Sequence, residues 1–600
     1  MILANVDKTI CSVKFPLSLG ECSQALPEEV VILIKSFAFR LDNRRDLISQ
    51  LKLEDSSNDD EILKAAWLEW REEMPAHLRG SFAFCLLDRN SESLFAARDP
   101  LGLSPLYYFS SDEQLVIGSS SRLVRSMVHA NLQCNDLMLA DFIAGATLEK
   151  EQTFFKGLFR LPPGHTLNFS QYGSNVHQYW SFADARSDIQ NVSEEKNFRE
   201  LFDRSVEDCF VKGSTILMLS GGLDSSSIAG ALASKGVRGE DLPCVSMTYE
   251  RTTEWNDSKH LSEMSEFLQV DKISVPSDEH DPLDNLDYWL DVLDGPYISP
   301  GHSVSVRLRQ IAKARGFEVV LCGEGGDEVV SNGFGRLNEL AMSQKWLSLW
   351  NECGSLAKFY PKSQIQLFKP YLSHFPAYRA LRSIRYRLFG AKKSTSTKLK
   401  FIDWRFLSDR MKGVIDSARY EVKSVVSRRH HTERQLQLEA LSLASMPSVL
   451  EAHAICSEAV GVETRMPFYN QDLIEHSLSL PSEWKLRGGL SRYILRKAME
   501  GDVPASVLSR TDKFDFSGNF MRGLLKDPDK LLELSDPEHN DIGRYVNTEL
   551  VNNIRNKIET VPDDLGWIEA LFIWRVAVLS LWLRISARKI SPPTDLIEIG

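Results

Sequence analysis

A chain of 600 residues exceeds what one hydrophobic core usually supports, so at least two domains are expected. With 43% hydrophobic and 25% charged residues it has the composition of a globular enzyme; 70 basic against 82 acidic residues give a net charge of −12, which argues against general nucleic-acid binding. Nine cysteines, scattered without a C-x-x-C spacing, fit neither a disulfide framework nor a zinc site and suit a reducing cytoplasm.

The opening Met1-Ile2-Leu3-Ala4-Asn5-Val6-Asp7 lacks a basic region followed by an apolar core, so no secretory signal is expected. Residues 1 to about 180 alternate short β-type runs, such as 30–39 and 81–88, with turns, and predict one α+β domain assigned to 1–185. A polar stretch at 184–196 leads into Phe198, Leu201, Phe202, Val206 and Phe210, the spacing of an amphipathic helix that packs onto a second domain, assigned to 195–600.

The apolar run Thr215-Ile216-Leu217-Met218-Leu219 then empties into Ser220-Gly221-Gly222-Leu223-Asp224-Ser225-Ser226, which reads as a buried strand, a tight anion cradle and a helix N-terminus. Gly221 and Gly222 let the backbone approach phosphate oxygens, Ser220, Ser225 and Ser226 donate to them, and Asp224 adds a carboxylate suited to Mg²⁺ beside a polyphosphate. No Gly-Lys-Ser/Thr follows, so this is not a Walker loop. Strands over 243–249, 272–275 and 319–322 alternate with helices near 258–269 and 304–315, which predicts a parallel sheet with ligands at the carboxyl ends of its strands. The last of these strands opens into Gly323-Glu324-Gly325-Gly326-Asp327-Glu328, so Asp224 and Asp327 are placed to converge on one metal–polyphosphate complex. Residues 376–400 carry eight Lys or Arg and no acid, which reads as a solvated face, as a docking surface for an acidic peptide or partner protein, or as a membrane-surface attachment. The stretch 567–585, interrupted by Glu569, Arg575 and Arg584, is expected as a buried helix and not a membrane span.

The Ser-Gly-Gly-x-Asp-Ser pattern resembles the pyrophosphate loop of ATP pyrophosphatases, and both motifs together resemble the asparagine synthetase family. The resemblance continues through Gly461-Val462-Glu463-Thr464-Arg465-Met466-Pro467-Phe468, Arg492-Tyr493-Ile494-Leu495-Arg496 and Arg510-Thr511-Asp512-Lys513-Phe514-Asp515-Phe516. In the first domain, Leu78-Arg79-Gly80-Ser81-Phe82-Ala83-Phe84, Arg98-Asp99-Pro100-Leu101-Gly102 and Leu161-Pro162-Pro163-Gly164-His165 resemble the family's glutaminase domain. The implied fold is α/β: a glutaminase-like α+β domain of the Ntn type, then a parallel-sheet synthetase domain with a helical C-terminal part. The resemblance implies ATP and Mg²⁺ as cofactors, Met247 and Gly323 near the adenine, and Lys513 at the α-phosphate or oxyanion. Glu324 faces the substrate as candidate base, with Glu451 a second candidate; His165, His453 and the pair Glu463 and Arg465 read as structural.

One departure separates this chain from glutamine-using members, which attack the amide with a cysteine at the chain's own N-terminus. Position 2 is Ile2 and the first cysteine is Cys11, so a glutaminase fold without glutaminase chemistry is expected. Such loss resembles the β-lactam synthetases and the lasso-peptide cyclases. The former usually carry Tyr where this chain has Glu324, while Arg40-Leu41-Asp42-Asn43-Arg44 and the pattern of Arg510, Lys513, Asp515 and Phe516 resemble the lasso-peptide cyclases. That resemblance implies a macrolactam synthetase acting on a ribosomal precursor peptide, partnered by a leader protease and a leader-recognition protein. An asparagine synthetase that uses ammonia or an amine is the rival.

Overall fold

The computed structural model describes residues 2–5, 9–14, 29–112, 114–128, 131–147, 149–170, 173–183, 193–249, 258–270, 272–278, 280–297, 299–375, 403–417, 431–511, 517–539, 541–588, 590, 592 and 595–599. The basic run at 376–400 and Lys513 lie outside these residues.

Alternating side chains build the N-terminal part as two antiparallel sheets laid face to face. One sheet of six strands runs in the order Leu158–Arg160, Tyr107–Ser110, Gln114–Gly118, Ile10–Lys14, Ile2–Asn5 and Leu596–Ile599. The other, of five, runs Gly173–Gln178, His165–Ser170, Ser93–Arg98, Ala83–Asp88 and Val30–Lys35. Cys11, Val13, Leu115 and Ile117 from the first interleave with Cys85, Leu87, Ala96 and Leu167 from the second, while Ile10 and Val116 point the other way. Helices Arg44–Leu51 and Asp59–Trp70 cover the outer face of the second sheet; Ser121–Met127 and Asp136–Ala144 cover that of the first. The layers are therefore helix, sheet, sheet, helix, an α+β arrangement as expected from the sequence. The strand Leu596–Ile599 pairs antiparallel with Ile2–Asn5, so the chain's last strand belongs to this sandwich and not to the second domain, where a division at 195–600 places it.

The second domain is organised by a five-stranded parallel sheet ordered Lys272–Pro276, Cys244–Thr248, Thr215–Met218, Val319–Leu321 and Glu463–Arg465. Helix Glu194–Cys209 buries Phe198, Phe202 and Val206 at the spacing read from the sequence. Helix Trp567–Ser586 buries Trp574 and Trp582 in the core, leaves Trp567 and Ile568 exposed in its first turn, and joins the sandwich cluster to the helical C-terminal part. Among the described residues no helix is long and apolar enough to cross a membrane.

Candidate active site

In chain order the parallel sheet reads third, second, first, fourth, fifth, so the winding reverses between Thr215–Met218 and Val319–Leu321. A crevice opens beyond the carboxyl ends of strands at such a reversal, because their connections leave to opposite faces. Both glycine-rich motifs sit there and touch. A Cβ on Gly323 would lie 2.7 Å from the Ser225 nitrogen, and one on Gly326 would lie 2.4 Å from Asp224 Cγ, so only glycine lets the second loop lie against the first.

The contact brings the two carboxylates together. Arg492 Nη1 donates to both Asp224 oxygens at 2.7 Å and lies 3.1 Å from Asp327 Oδ1. The shared guanidinium nitrogen brings both carboxylates to the same end of the crevice, and hard oxygen donors beside a polyphosphate are the ligand type Mg²⁺ takes. The pair therefore fits the cation, though among the described residues no group of three or more His, Cys, Asp or Glu gathers at one metal position. Arg492 holds its place with φ of 51°, left-handed for a non-glycine residue, which marks strain at a functional position. Behind it Arg496 is 5% exposed, and burial, aided by the Arg492 charge, depresses its guanidinium to about 10.

The serine loop organises itself. Asp224 lies in the first turn of helix Leu223–Ser234, whose leading N–H groups face the crevice end of the sheet. Gly221 adopts φ of 73°, Ser220 Oγ accepts from the Gly222 N–H at 3.2 Å, and the Ser220 and Ser225 hydroxyls lie 3.0 Å apart. Ser226 corrects the sequence reading: it is 0% exposed and its N–H is spent on the Gly222 carbonyl at 3.1 Å, so it packs the helix against the core instead of reaching a phosphate. Met247 is half-buried on strand Cys244–Thr248, takes a contact from the Tyr249 hydroxyl at 3.6 Å, and lines the cavity described next.

A cavity of about 580 Å³ extends from Met247 and Glu324 to the join of the two domains. Glu324 Oε2 lies 2.8 Å from His453 Nε2, and His453 Nδ1 lies 2.6 Å from Arg309 Nη2. Burial alone would raise the Glu324 carboxyl, but the His453 contact and the Arg309 charge outweigh it and hold the group below its ordinary value. His302, buried beside His453 and Arg309, is pushed well below the usual imidazole range by burial first and by the nearby Arg309 charge.

Glu451 stands elsewhere on the same cavity and corrects its sequence reading as a second base. It is 2% exposed; its Oε1 accepts from Arg98 Nη1 at 2.9 Å, and its Oε2 accepts from the Tyr107 hydroxyl at 2.8 Å and pairs with Arg160 Nε at 3.1 Å. Two guanidiniums from the first domain thus neutralise one carboxylate of the second, a clamp that engages both of its oxygens. Three residues that sequence reading left out of the site belong to it: Arg492, Arg309 and His453. Arg309 had a visible signal, a charged residue on the buried stripe His302, Val306 and Arg309 of its helix.

These features define a nucleotide-dependent α/β synthetase joined to an amidotransferase-like sandwich. An asparagine synthase family model matches residues 197–584 and a glutamine amidotransferase domain model matches residues 40–180. The chain belongs to the asparagine synthase family, whose members are ATP-dependent amide-forming ligases. It is 25% identical over 487 residues to asparagine synthetase (glutamine-hydrolyzing) 3 of Bacillus subtilis (strain 168), covering 78% of this chain and 73% of that one. It is similar also to asparagine synthetase (glutamine-hydrolyzing) 1 of the same organism, at 24% over 483 residues with 76% and 70% covered. A third relative, titled amidase chry2, of Gibberella zeae, shares 23% over 497 residues with 76% and 72% covered. A solved structure titled as the allosteric regulatory enzyme of purine biosynthesis shares 16% identity, covering 42% of this chain and 61% of that one, at a TM-score of 0.18 that carries no weight here.

Proposed function

We propose that this ligase closes a macrolactam, an isopeptide bond within a ribosomally made precursor peptide. An Asp or Glu side chain of the peptide attacks the α-phosphorus of ATP, giving an acyl-adenylate and pyrophosphate; the peptide's freed N-terminal amine then attacks that carbonyl and AMP leaves. The N–H groups around Gly222, with the Ser220 and Ser225 hydroxyls, cradle the pyrophosphate. Asp224 and Asp327 would hold Mg²⁺, which when bound offsets charge on the leaving group. Lys513, by family resemblance, serves the α-phosphate. Glu324 accepts a hydrogen bond from the incoming amine and takes its proton. A leader protease and a leader-recognition protein would supply the free amine.

The cavity supports this reading over a free amino acid. Tyr107, Phe142, Phe154, Tyr297, Phe520 and Trp567 give it aromatic walls. Among its described lining residues the only Lys or Arg is Arg160, which is committed to Glu451, so no spare cation there receives the α-carboxylate of aspartate. A chamber with aromatic faces and the Glu324 carboxylate suits an amine-bearing peptide with apolar side chains.

The test is direct. The enzyme is incubated with ATP, Mg²⁺ and synthetic peptides that carry a free N-terminal amine and an internal Asp or Glu; the expected result is loss of one water from a peptide with AMP and pyrophosphate released. The relatives' titles favour the rival, asparagine formation from aspartate and ammonium, and that product in place of the cyclic peptide overturns the proposal. ADP as the nucleotide product overturns both.

A further inference from the structure

Arg309 is 0% exposed and reaches only neutral acceptors directly: Ser305 Oγ at 2.6 Å, Thr464 Oγ1 at 2.7 Å, Ser457 Oγ at 3.2 Å and His453 Nδ1 at 2.6 Å. A guanidinium has donors and no acceptor, so the nitrogen it faces must carry no hydrogen. His453 is thereby set as the tautomer protonated at Nε2, and that N–H is directed at Glu324 Oε2, 2.8 Å away. A buried cation needs a counter-charge, and among the described residues Arg309 makes no direct ion pair; the carboxylate that balances it is Glu324, on the far side of the imidazole.

We infer that His453, locked in one tautomer by Arg309, is a positioning residue that ties down one oxygen of Glu324 and leaves the other, Oε1, for the attacking amine. The inference rests on the amide-forming reading of the site and not on the identity of the peptide. Removing the imidazole frees the carboxylate to rotate and leaves Arg309 without the link to its counter-charge. Glutamine at 453 restores a carbonyl to accept from Arg309 and an amide N–H to donate to Glu324; phenylalanine fills the space and does neither.

Two measurements decide it. In full-length protein labelled with ¹⁵N-histidine, with the signals of residue 453 assigned by their loss in His453→Gln, the imidazole is expected to be bare at Nδ1 and protonated at Nε2 at neutral pH. Protonation at Nδ1 overturns the inference. With a synthetic peptide that carries a free N-terminal amine and an internal Asp or Glu as probe, His453→Phe is expected to lower kcat for ring closure about a hundredfold with KM for ATP unchanged, and His453→Gln to recover most of the loss. In a Glu324→Gln background His453→Phe is expected to cost nothing further, because the two act as one unit. An equal loss in both backgrounds overturns the positioning role. A wild-type enzyme inert toward the peptide overturns the proposed function and leaves the tautomer measurement to decide this inference.

Discussion

Glu451 and Glu324 line one cavity, yet their surroundings assign them opposite work. Glu451, at the join of the two domains, is enclosed by Arg98, Arg160 and Tyr107, and both of its oxygens are engaged. Glu324, at the end of a parallel strand, is held on one oxygen by His453, and its side chain is 33% exposed to the cavity. The first domain thus uses its charges to fasten itself to the second, and the second keeps its own charges accessible at the reversal of its sheet. Burial by itself does not make a carboxylate reactive; the number of its oxygens left uncommitted does.

Substitutions sort along that line. The largest effect is expected at the crevice: Asp224→Asn or Asp327→Asn should lower AMP and pyrophosphate formation by about a thousandfold, because electrostatic stabilisation of the leaving group is lost. A rate within tenfold of wild type would remove both from the metal–polyphosphate site. Next, Glu324→Gln should slow amide formation about a hundredfold while nucleotide affinity, read by titration calorimetry with a nonhydrolysable ATP analogue, stays put. Because the folded-state carboxyl is held below its ordinary 4.5, it stays ionised down through that pH, and both its stabilising contact and its basic form are lost only as pH falls through the lowered value. The acidic limb of the pH–rate profile should therefore lie below 4.5 in wild type and move upward in His453→Phe.

Across the cavity the sign of the outcome changes. Glu451→Ala leaves Arg98 and Arg160 buried beside an unfilled counter-charge and should cost about 3–5 kcal/mol of stability by denaturant unfolding, while the folded fraction still forms AMP. A stable variant that has lost turnover would return Glu451 to the chemistry. The smallest effect belongs to Cys11, whose strand pairs on both sides with Ala4 and Ile117 and whose thiol burial pushes up to about 12. In folded protein it should resist iodoacetamide at pH 8, and Cys11→Ser should leave synthetase turnover unchanged; rapid alkylation would show that the sheet opens there.

The features that depend only on near neighbours were legible in the sequence. The apolar run at 215–219 ending in glycines, the second run at 319–322 ending in Glu324 and Asp327, and the amphipathic spacing of Phe198, Phe202 and Val206 each follow from neighbours within a few residues, where backbone geometry and burial periodicity act. Ser226 was misread because a serine one turn into a helix is chemically a donor, and only packing against the core reveals that it faces inward. Tertiary structure alone decided which distant groups meet: Arg492 reaches across 268 positions to Asp224, and Arg98 across 353 to Glu451. No local pattern encodes those encounters, since they depend on the order in which five strands join a sheet and on where the sandwich docks against it. The residue types limited the chemistry to a carboxylate, an imidazole and a guanidinium; their juxtaposition in three dimensions settled which carboxylate is tied down and which remains available.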